Sequence, residues 1–272
     1  MFMDLPLLSA LFLAGCLGAY VLLDGFDLGV GALLLLEKNE QHRDRMVDSI
    51  VPTWDGNETW LIMAGIELFA GFPQIQVIDL DAAMGLGSNG DLVAYLAKHA
   101  GIRAGGGVRT VARARQLLEQ GAWRVIVGTA AFSTDGPNRT FLASLAAEIG
   151  RDRLTIALDS KQGKIMVRGW SEATNYSALD MIEQLESYCS GFLCTYVDKE
   201  GMMQGTDLDW FAHLRNATQG ELIAAGGITT MDDVRALDAK GIHCAIGMSI
   251  YTGRLDLAEL RKINEGNEVY TK

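Results

Sequence analysis

One pattern constrains the fold more than any other: a strand–glycine turn–helix–strand unit that occurs twice, 120 residues apart. The first copy is Ile102-Arg103-Ala104-Gly105-Gly106-Gly107-Val108-Arg109-Thr110, and its echo is Leu222-Ile223-Ala224-Ala225-Gly226-Gly227-Ile228-Thr229-Thr230. After each copy comes a helix-like segment of about 10 residues that closes on a glycine, Gly121 or Gly241. A second apolar run then ends in glycine again, at Gly128 and at Gly247. A repeat of this kind requires two similar halves of alternating strand and helix, which places the chain among the α/β folds.

The turns suit phosphate. Glycine lets the backbone approach an anion closely, and the N–H groups that open the next helix point at it with the helix dipole behind them. The candidate anion-binding residues are Gly106, Gly107, Gly128 and Thr129 in the first copy, and Gly226, Gly227, Gly247 and Met248 in the second. The competing reading is that the glycines only make tight turns. Two matched pairs, each followed by a glycine-ended strand, favour a ligand with a phosphate at each end, held across a barrel mouth.

Composition narrows the partners. A net charge of −11 argues against nucleic acid, whose phosphate backbone needs a basic face. Cys16, Cys189, Cys194 and Cys244 show neither CxxC spacing nor a disulfide framework and read as reduced thiols. Neither a metal site nor a cofactor is implied.

The first 74 residues differ from the rest. Leu5–Leu23 is a run of 19 uncharged residues, enough to cross a bilayer, and apolar character resumes at Gly29–Leu36 beyond Asp24-Gly25-Phe26-Asp27. A signal peptide is the competing reading, but no basic residue precedes the run and no cleavage site follows it. Lys38, Arg43 and Arg45 place the following loop on the cytoplasmic side. Thr59–Phe72 is apolar again, but its 14 residues include Glu67 and are short for a span. Asp24-Gly25-Phe26-Asp27-Leu28-Gly29-Val30-Gly31-Ala32-Leu33 and Ser49-Ile50-Val51-Pro52-Thr53-Trp54-Asp55-Gly56-Asn57-Glu58-Thr59-Trp60 carry a resemblance to the start of cytochrome bd ubiquinol oxidase subunit II. It implies membrane association through residues 5–36 and stops near Phe72-Pro73.

From Ile75 onward the pattern is that of parallel βαβ units. Expected strands are Ile75–Leu80, Gly101–Ala104, Arg124–Val127, Leu154–Leu158, Phe192–Val197, Leu222–Ala225 and Cys244–Ile246. Helical spacing lies between them, as in Val111, Ala114, Leu117 and Leu118, or Leu179, Ile182 and Leu185. A closed (β/α)8 barrel needs an eighth strand. The repeat locates the missing one. Leu154–Leu158, ending in Asp159, opens the second half, and its counterpart in the first half belongs just before Ile75. The expected fold is therefore a TIM-type barrel without its first βα unit, preceded by an α-helical, membrane-like segment.

Carboxylates at strand ends are candidates for acid–base work. For Asp79, Asp81 and Asp198 helix capping is the simpler role. Asp159 stands apart, because it ends an apolar strand and precedes a loop, Ser160–Lys164, rather than a helix.

Residues 75–272 resemble the histidine-biosynthesis isomerase that converts phosphoribosylformimino-aminoimidazole carboxamide ribotide to its ribulosyl isomer. The resemblance rests on Val77-Ile78-Asp79-Leu80-Asp81-Ala82-Ala83, Gly105-Gly106-Gly107-Val108-Arg109, Val127-Gly128-Thr129-Ala130, Ala157-Leu158-Asp159, Gly169-Trp170, Cys194-Thr195-Tyr196-Val197-Asp198-Lys199-Glu200-Gly201 and Gly226-Gly227-Ile228. It implies an Amadori rearrangement of a bisphosphate, aminoaldose to aminoketose, without a cofactor. By position it assigns Asp159, Thr195 and Glu200 to the catalytic site, Trp170 to a mobile-loop aromatic that stacks on the imidazole, and Arg109 to the first phosphate turn. It also implies a departure, because the family's general base is an aspartate at the end of the first strand, which this chain lacks. The alternatives are a fragment of a membrane quinol oxidase subunit, or a composite reading frame without activity. The expected location is cytoplasmic for residues 75–272, tethered to the inner membrane if the N-terminal segment crosses it once.

Overall fold

A computed structural model of the chain describes residues 14, 15, 39, 42, 45, 72, 74–133, 136–202 and 204–266. Two compact units divide at Phe72 and Pro73. The expected membrane segments, Leu5–Leu36 and Thr59–Phe72, lie almost wholly outside the described residues, as does Cys16. No helix among the described residues is long and apolar enough to cross a membrane.

The second unit is built on a curled sheet of seven parallel strands in chain order: β1 Ile75–Ile78, β2 Ile102–Gly105, β3 Arg124–Val127, β4 Leu154–Lys161, β5 Gly191–Tyr196, β6 Glu221–Ala225 and β7 His243–Cys244. Every neighbouring pair along this path is parallel. Parallel strands need crossovers, and helices supply them: α1 Leu80–Met84, α2 Gly90–His99, α3 Val111–Glu119, α4 Arg139–Ile149, α5 Ala178–Leu185, α6 Leu208–Asn216 and α7 Met231–Asp238, then α8 Met248–Tyr251 and α9 Leu257–Gly266. Among the described residues this is the architecture of an incomplete TIM-type barrel, with seven parallel strands rather than eight. Among the described residues β1 and β7 are the two edges of the parallel sheet.

Local chemistry sets where the helices begin. Asp79, Thr110, Asn138, Ser177, Asp207 and Thr230 each accept a backbone N–H from the first turn of the following helix. For Ser177 and Thr230 the partner acid, Asp180 or Asp233, reaches back to complete a capping box. From α2 to α7 the helices bury a stripe each, such as Ala114 and Leu117 of α3 or Leu142 and Leu145 of α4, against strand residues that include Ile102, Val125, Val127, Leu154, Ile156, Phe192 and Leu222. Each fully buried aliphatic side chain there contributes about 1.5–3 kcal/mol. On α5 the buried stripe is Ala178, Met181, Ile182 and Leu185, whereas Leu179, which the spacing places in the core, is exposed. The spacing Leu179-Ile182-Leu185 contains two core positions and one surface position, because the apolar arc centres on Ile182.

The other strand face fills the barrel in layers. A middle layer packs Ile126, Leu193 and Ile223 with Ala157, Ala225 and Ala245. Below it, at the strand N-terminal ends, lies an ionic floor. Glu221 of β6 accepts from Arg103 of β2 through both oxygens, at 2.5 and 2.7 Å, and from Arg124 of β3 at 2.5 Å. Arg103 also donates to Gln74, and the Nε2 of His243 lies 3.8 Å from Glu221. Burial alone would push the Glu221 carboxyl up, but the two guanidinium groups overcome it and hold it below its ordinary range.

Candidate active site

The mouth of the barrel, at the C-terminal ends of the strands, carries the repeat as matching geometry. Gly106 and Gly226 both adopt φ +93°, and Gly107 and Gly227 follow at +66° and +75°. A Cβ on Gly106 would sit 2.2 Å from the Asp79 carbonyl oxygen, and one on Gly226 would sit 2.5 Å from that of Tyr196. Glycine is required at both because each turn is pressed against the backbone of the preceding strand's end. The glycines that end β3 and β7 match as well: Gly128 has φ −101° and ψ −111°, Gly247 has −118° and −113°. Each opens a helical turn, Thr129–Ala131 or α8, with no side chain capping it. Each half therefore presents a glycine turn beside a helical start, the arrangement that leaves backbone N–H groups for an anion.

Between the two turns stand the acid–base candidates. Asp159 does not end its strand, as its sequence context predicts. β4 continues to Lys161 and turns back at Gln162 (φ +49°) and Gly163 (φ +75°) into an antiparallel segment, Lys164–Val167. Two consecutive left-handed residues make the tight hairpin turn that suits the strand twist, so the expected loop is a β-arm rising above the mouth. Asp159 is level with Thr195 across the β4–β5 pair, and burial raises its pKa while hydrogen bonds from Thr195 and Trp170 pull the other way. Glu200 follows the short 3-10 turn at the end of β5, and its pKa is raised by burial and then by the charge of Asp159. Two carboxyl groups so placed resist ionising together, which favours one acting as an acid.

The arm reaches over Asp159. Trp170 donates from Nε1 to Asp159 Oδ2 at 2.8 Å, and the Arg168 N–H donates to Thr129 Oγ1 at 2.8 Å. Arg168, Gly169 and Trp170 all have positive φ, at 53°, 63° and 67°. For Arg168 and Trp170 that conformation costs about 1–2 kcal/mol each, so the two hydrogen bonds hold a strained tip in place. Arg168 escaped the sequence reading, although its place beside Gly169-Trp170 was the available signal. Arg109 is beside the first turn but donates to the Ala83 carbonyl at 2.6 Å. Asp79 caps α1 as expected and also accepts from Ser88 and Asn89, and those bonds outweigh burial to lower its pKa. Asp198 does not cap a helix. It accepts from the Gln162 N–H at 2.7 Å and so anchors the arm. Gly205, also unanticipated, donates its N–H to Thr229 Oγ1 at 3.0 Å and ties the loop after Glu200 to the second turn.

The model of the family described as "Histidine biosynthesis protein" matches residues 63–256. The chain belongs to that family. Similar curated relatives agree. A 1-(5-phosphoribosyl)-5-((5-phosphoribosylamino)methylideneamino)imidazole-4-carboxamide isomerase from Methanocaldococcus jannaschii is 35% identical over 71% of this chain and 81% of its own length. The enzymes of the same name from Myxococcus xanthus and Gemmatimonas aurantiaca are 38% and 33% identical, over 81% and 88% of their own lengths. Residues 5–83 match the family model of cytochrome bd terminal oxidase subunit II. The two family matches therefore overlap, at residues 63–83.

Proposed function

We propose that residues 75–272 bind a sugar bisphosphate of histidine biosynthesis and isomerise it from aminoaldose to aminoketose. The observation that carries this reading is the pair of equivalent glycine grips, Gly106-Gly107 with Gly128-Thr129 and Gly226-Gly227 with Gly247-Met248, on either side of Asp159, Thr195 and Glu200. Each grip takes one phosphate, and the sugar that undergoes chemistry lies between.

Glu200, with its raised pKa, protonates the ribose ring oxygen. The C1′–O bond then opens, and the nitrogen lone pair forms the Schiff base. Water takes the C2′ proton to give an enolamine, which collapses to the ketose as water returns a proton to C1′ and the enol oxygen gives up its own. Asp159 orients the sugar hydroxyls together with Thr195, and Trp170 leaves it to stack on the imidazole. The strand that carries the family's base on C2′ has no counterpart in residues 75–272, and turnover is accordingly about 10²–10⁴-fold slower than in a relative that keeps it. Residues 1–74 cross the membrane once or not at all, which keeps residues 75–272 cytoplasmic. Cleavage of residues 75–272 by protease added outside intact cells would overturn that topology.

The test is conversion of the bisphosphate by the purified full-length chain, with calorimetry to measure binding. Micromolar binding and slow conversion are expected, with conversion lowered a further 10²-fold or more and binding retained in Glu200→Gln. Absence of bisphosphate binding in the unaltered chain overturns the reading.

A further inference from the structure

Glu200, the proposed acid, is held by its neighbours rather than by its own side chain. Its carboxyl accepts no hydrogen bond among the described residues. The turn beneath it is slight: the Glu200 N–H donates to Val197 at 3.2 Å and the Met202 N–H to Lys199 at 3.1 Å. Gly201, at φ +69°, has open space where a Cβ would lie, so no packing braces the turn from that side. Two tethers fix it from outside. On one side Asp198 accepts the Gln162 N–H at 2.7 Å, from the first turn of the arm. The returning segment of the arm, Lys164–Val167, leads from there to Arg168, whose N–H is fastened to Thr129 of the first grip. On the other side the buried Thr229 hydroxyl donates to Gly227 of the second grip at 2.7 Å and accepts the Gly205 N–H at 3.0 Å. A Cβ on Gly227 would meet the Lys199 Cβ at 2.8 Å and the Gly205 carbonyl at 2.6 Å, so the acid turn clasps the second grip directly. The first half has no such clasp. There the mate of Gly227, Gly107, is pressed by Ala82 of the capped helix α1, which carries no proposed acid.

We propose that Asp198 and Thr229 are positioning residues that set Glu200 only when both grips are filled, so that the chain selects a doubly phosphorylated ligand in the chemical step rather than in binding. The first phosphate steadies Thr129 and, through Arg168 and the arm, the bond at Asp198. The second steadies Gly227 and, through Thr229, the bond at Gly205. One tether alone leaves the turn free to pivot about it, whereas two, placed before and after Glu200, fix its direction. Binding energy from the two remote phosphates is thereby used to orient the acid, and a misplacement of about 1 Å costs about 10²-fold in rate. The roles of Glu200 and of the grips rest on the function proposed above, whereas the two tethers do not.

Hydrogen exchange at the amides of residues 198–202, followed by mass spectrometry on the purified full-length chain, tests both parts. Without ligand, Asp198→Ala and Thr229→Val each speed exchange there about fivefold and leave β5 unchanged. In the unaltered chain the aminoaldose bisphosphate slows the same amides about tenfold or more. The two monophosphate forms of that compound, each lacking one phosphate, bind by calorimetry but change exchange less than about twofold. Asp198→Ala and Thr229→Val still bind the bisphosphate within about threefold, lose the protection, and lower kcat about tenfold or more at unchanged KM. Asp198→Asn and Thr229→Ser, which keep an oxygen for the tethering N–H, restore protection and kcat together. If Thr229→Val fails to fold, the two Asp198 variants decide. Full protection by either monophosphate, a raised KM at unchanged kcat, or no rescue by the conservative variants overturns the proposal. So does ligand-free exchange at 198–202 that neither variant alters. Failure of the bisphosphate to bind refutes the function proposed above and the selection with it, and the ligand-free exchange then decides the tethers alone.

Discussion

The two halves of the barrel repeat one another residue for residue at their glycine turns, yet they are unequally finished. In the second half β4 flanks β5, and Asp159 is level with Thr195 and pushed up by burial. In the first half the mate of Thr195, Ile78, pairs with β2 on one side only, has no strand on the other among the described residues and is 40% exposed. The contrast teaches that the two functions proposed for the mouth separate. The proposed phosphate grips are made by local backbone, a glycine turn against the end of the adjacent strand, and each half forms its own. Acid–base chemistry needs side chains brought together from strands on both sides, and that part depends on every strand being present.

Four substitutions test how far the halves are equivalent. The largest effect is expected at the floor that joins them. Glu221→Gln leaves Arg103 and Arg124 buried without a compensating charge and costs about 3–5 kcal/mol, read as a fall in the denaturant midpoint. Because the Glu221 pKa is held below its unfolded value, its contribution is present above that value and is lost as the pH falls. The unaltered chain therefore loses the difference from Glu221→Gln on acidification. A pH-independent gap would show that the floor is not ionic in effect.

A smaller effect, about 1–3 kcal/mol, is expected for Gly106→Ala and Gly226→Ala, which push a methyl into the Asp79 or Tyr196 backbone. Comparable losses in both would support equivalent turns. A loss in Gly226→Ala with tolerance of Gly106→Ala would mean that the open edge lets β1 retreat.

The smallest effect is a gain. Burial raises the Asp159 pKa, so its protonated form favours folding at low pH and that contribution is lost as pH rises through the folded pKa. Asp159→Asn removes the buried charge and raises the melting temperature above that pKa by a few degrees, about 2–4 °C per kcal/mol for a unit of this size. The two melting curves converge in acid. A lower melting temperature at neutral pH would show that the bonds from Trp170 and Thr195 outweigh the desolvation.

What could be read from the sequence divides along the same line. The seven parallel strands, their order and both glycine turns are local signals, written as short apolar runs punctuated by glycine, and the structure places the strands within a few residues of their expected limits. The missing strand was legible because a repeat supplies its own template. The reach of Arg168 to Thr129 was not legible, since it joins residues 39 apart through a strained tip. Nor was the continuation of β4 beyond Asp159, because Ser160-Lys161 is polar and is held in the sheet by the returning arm and, at Ser160, by Tyr196 of β5. Leu179 misled for a third reason: an apolar residue at helical spacing marks a stripe without fixing its centre.

The floor around Glu221 has a consequence for how such folds tolerate loss. A barrel is usually pictured as a hoop, round because its hydrogen-bonded ring closes. Here Arg103 of β2 and Arg124 of β3 meet Glu221 of β6, a tie rod across the diameter that bends the sheet from inside. Curvature carried by a strut does not depend on a closed hoop, so the mouth keeps its shape although β1 and β7 do not pair with each other among the described residues.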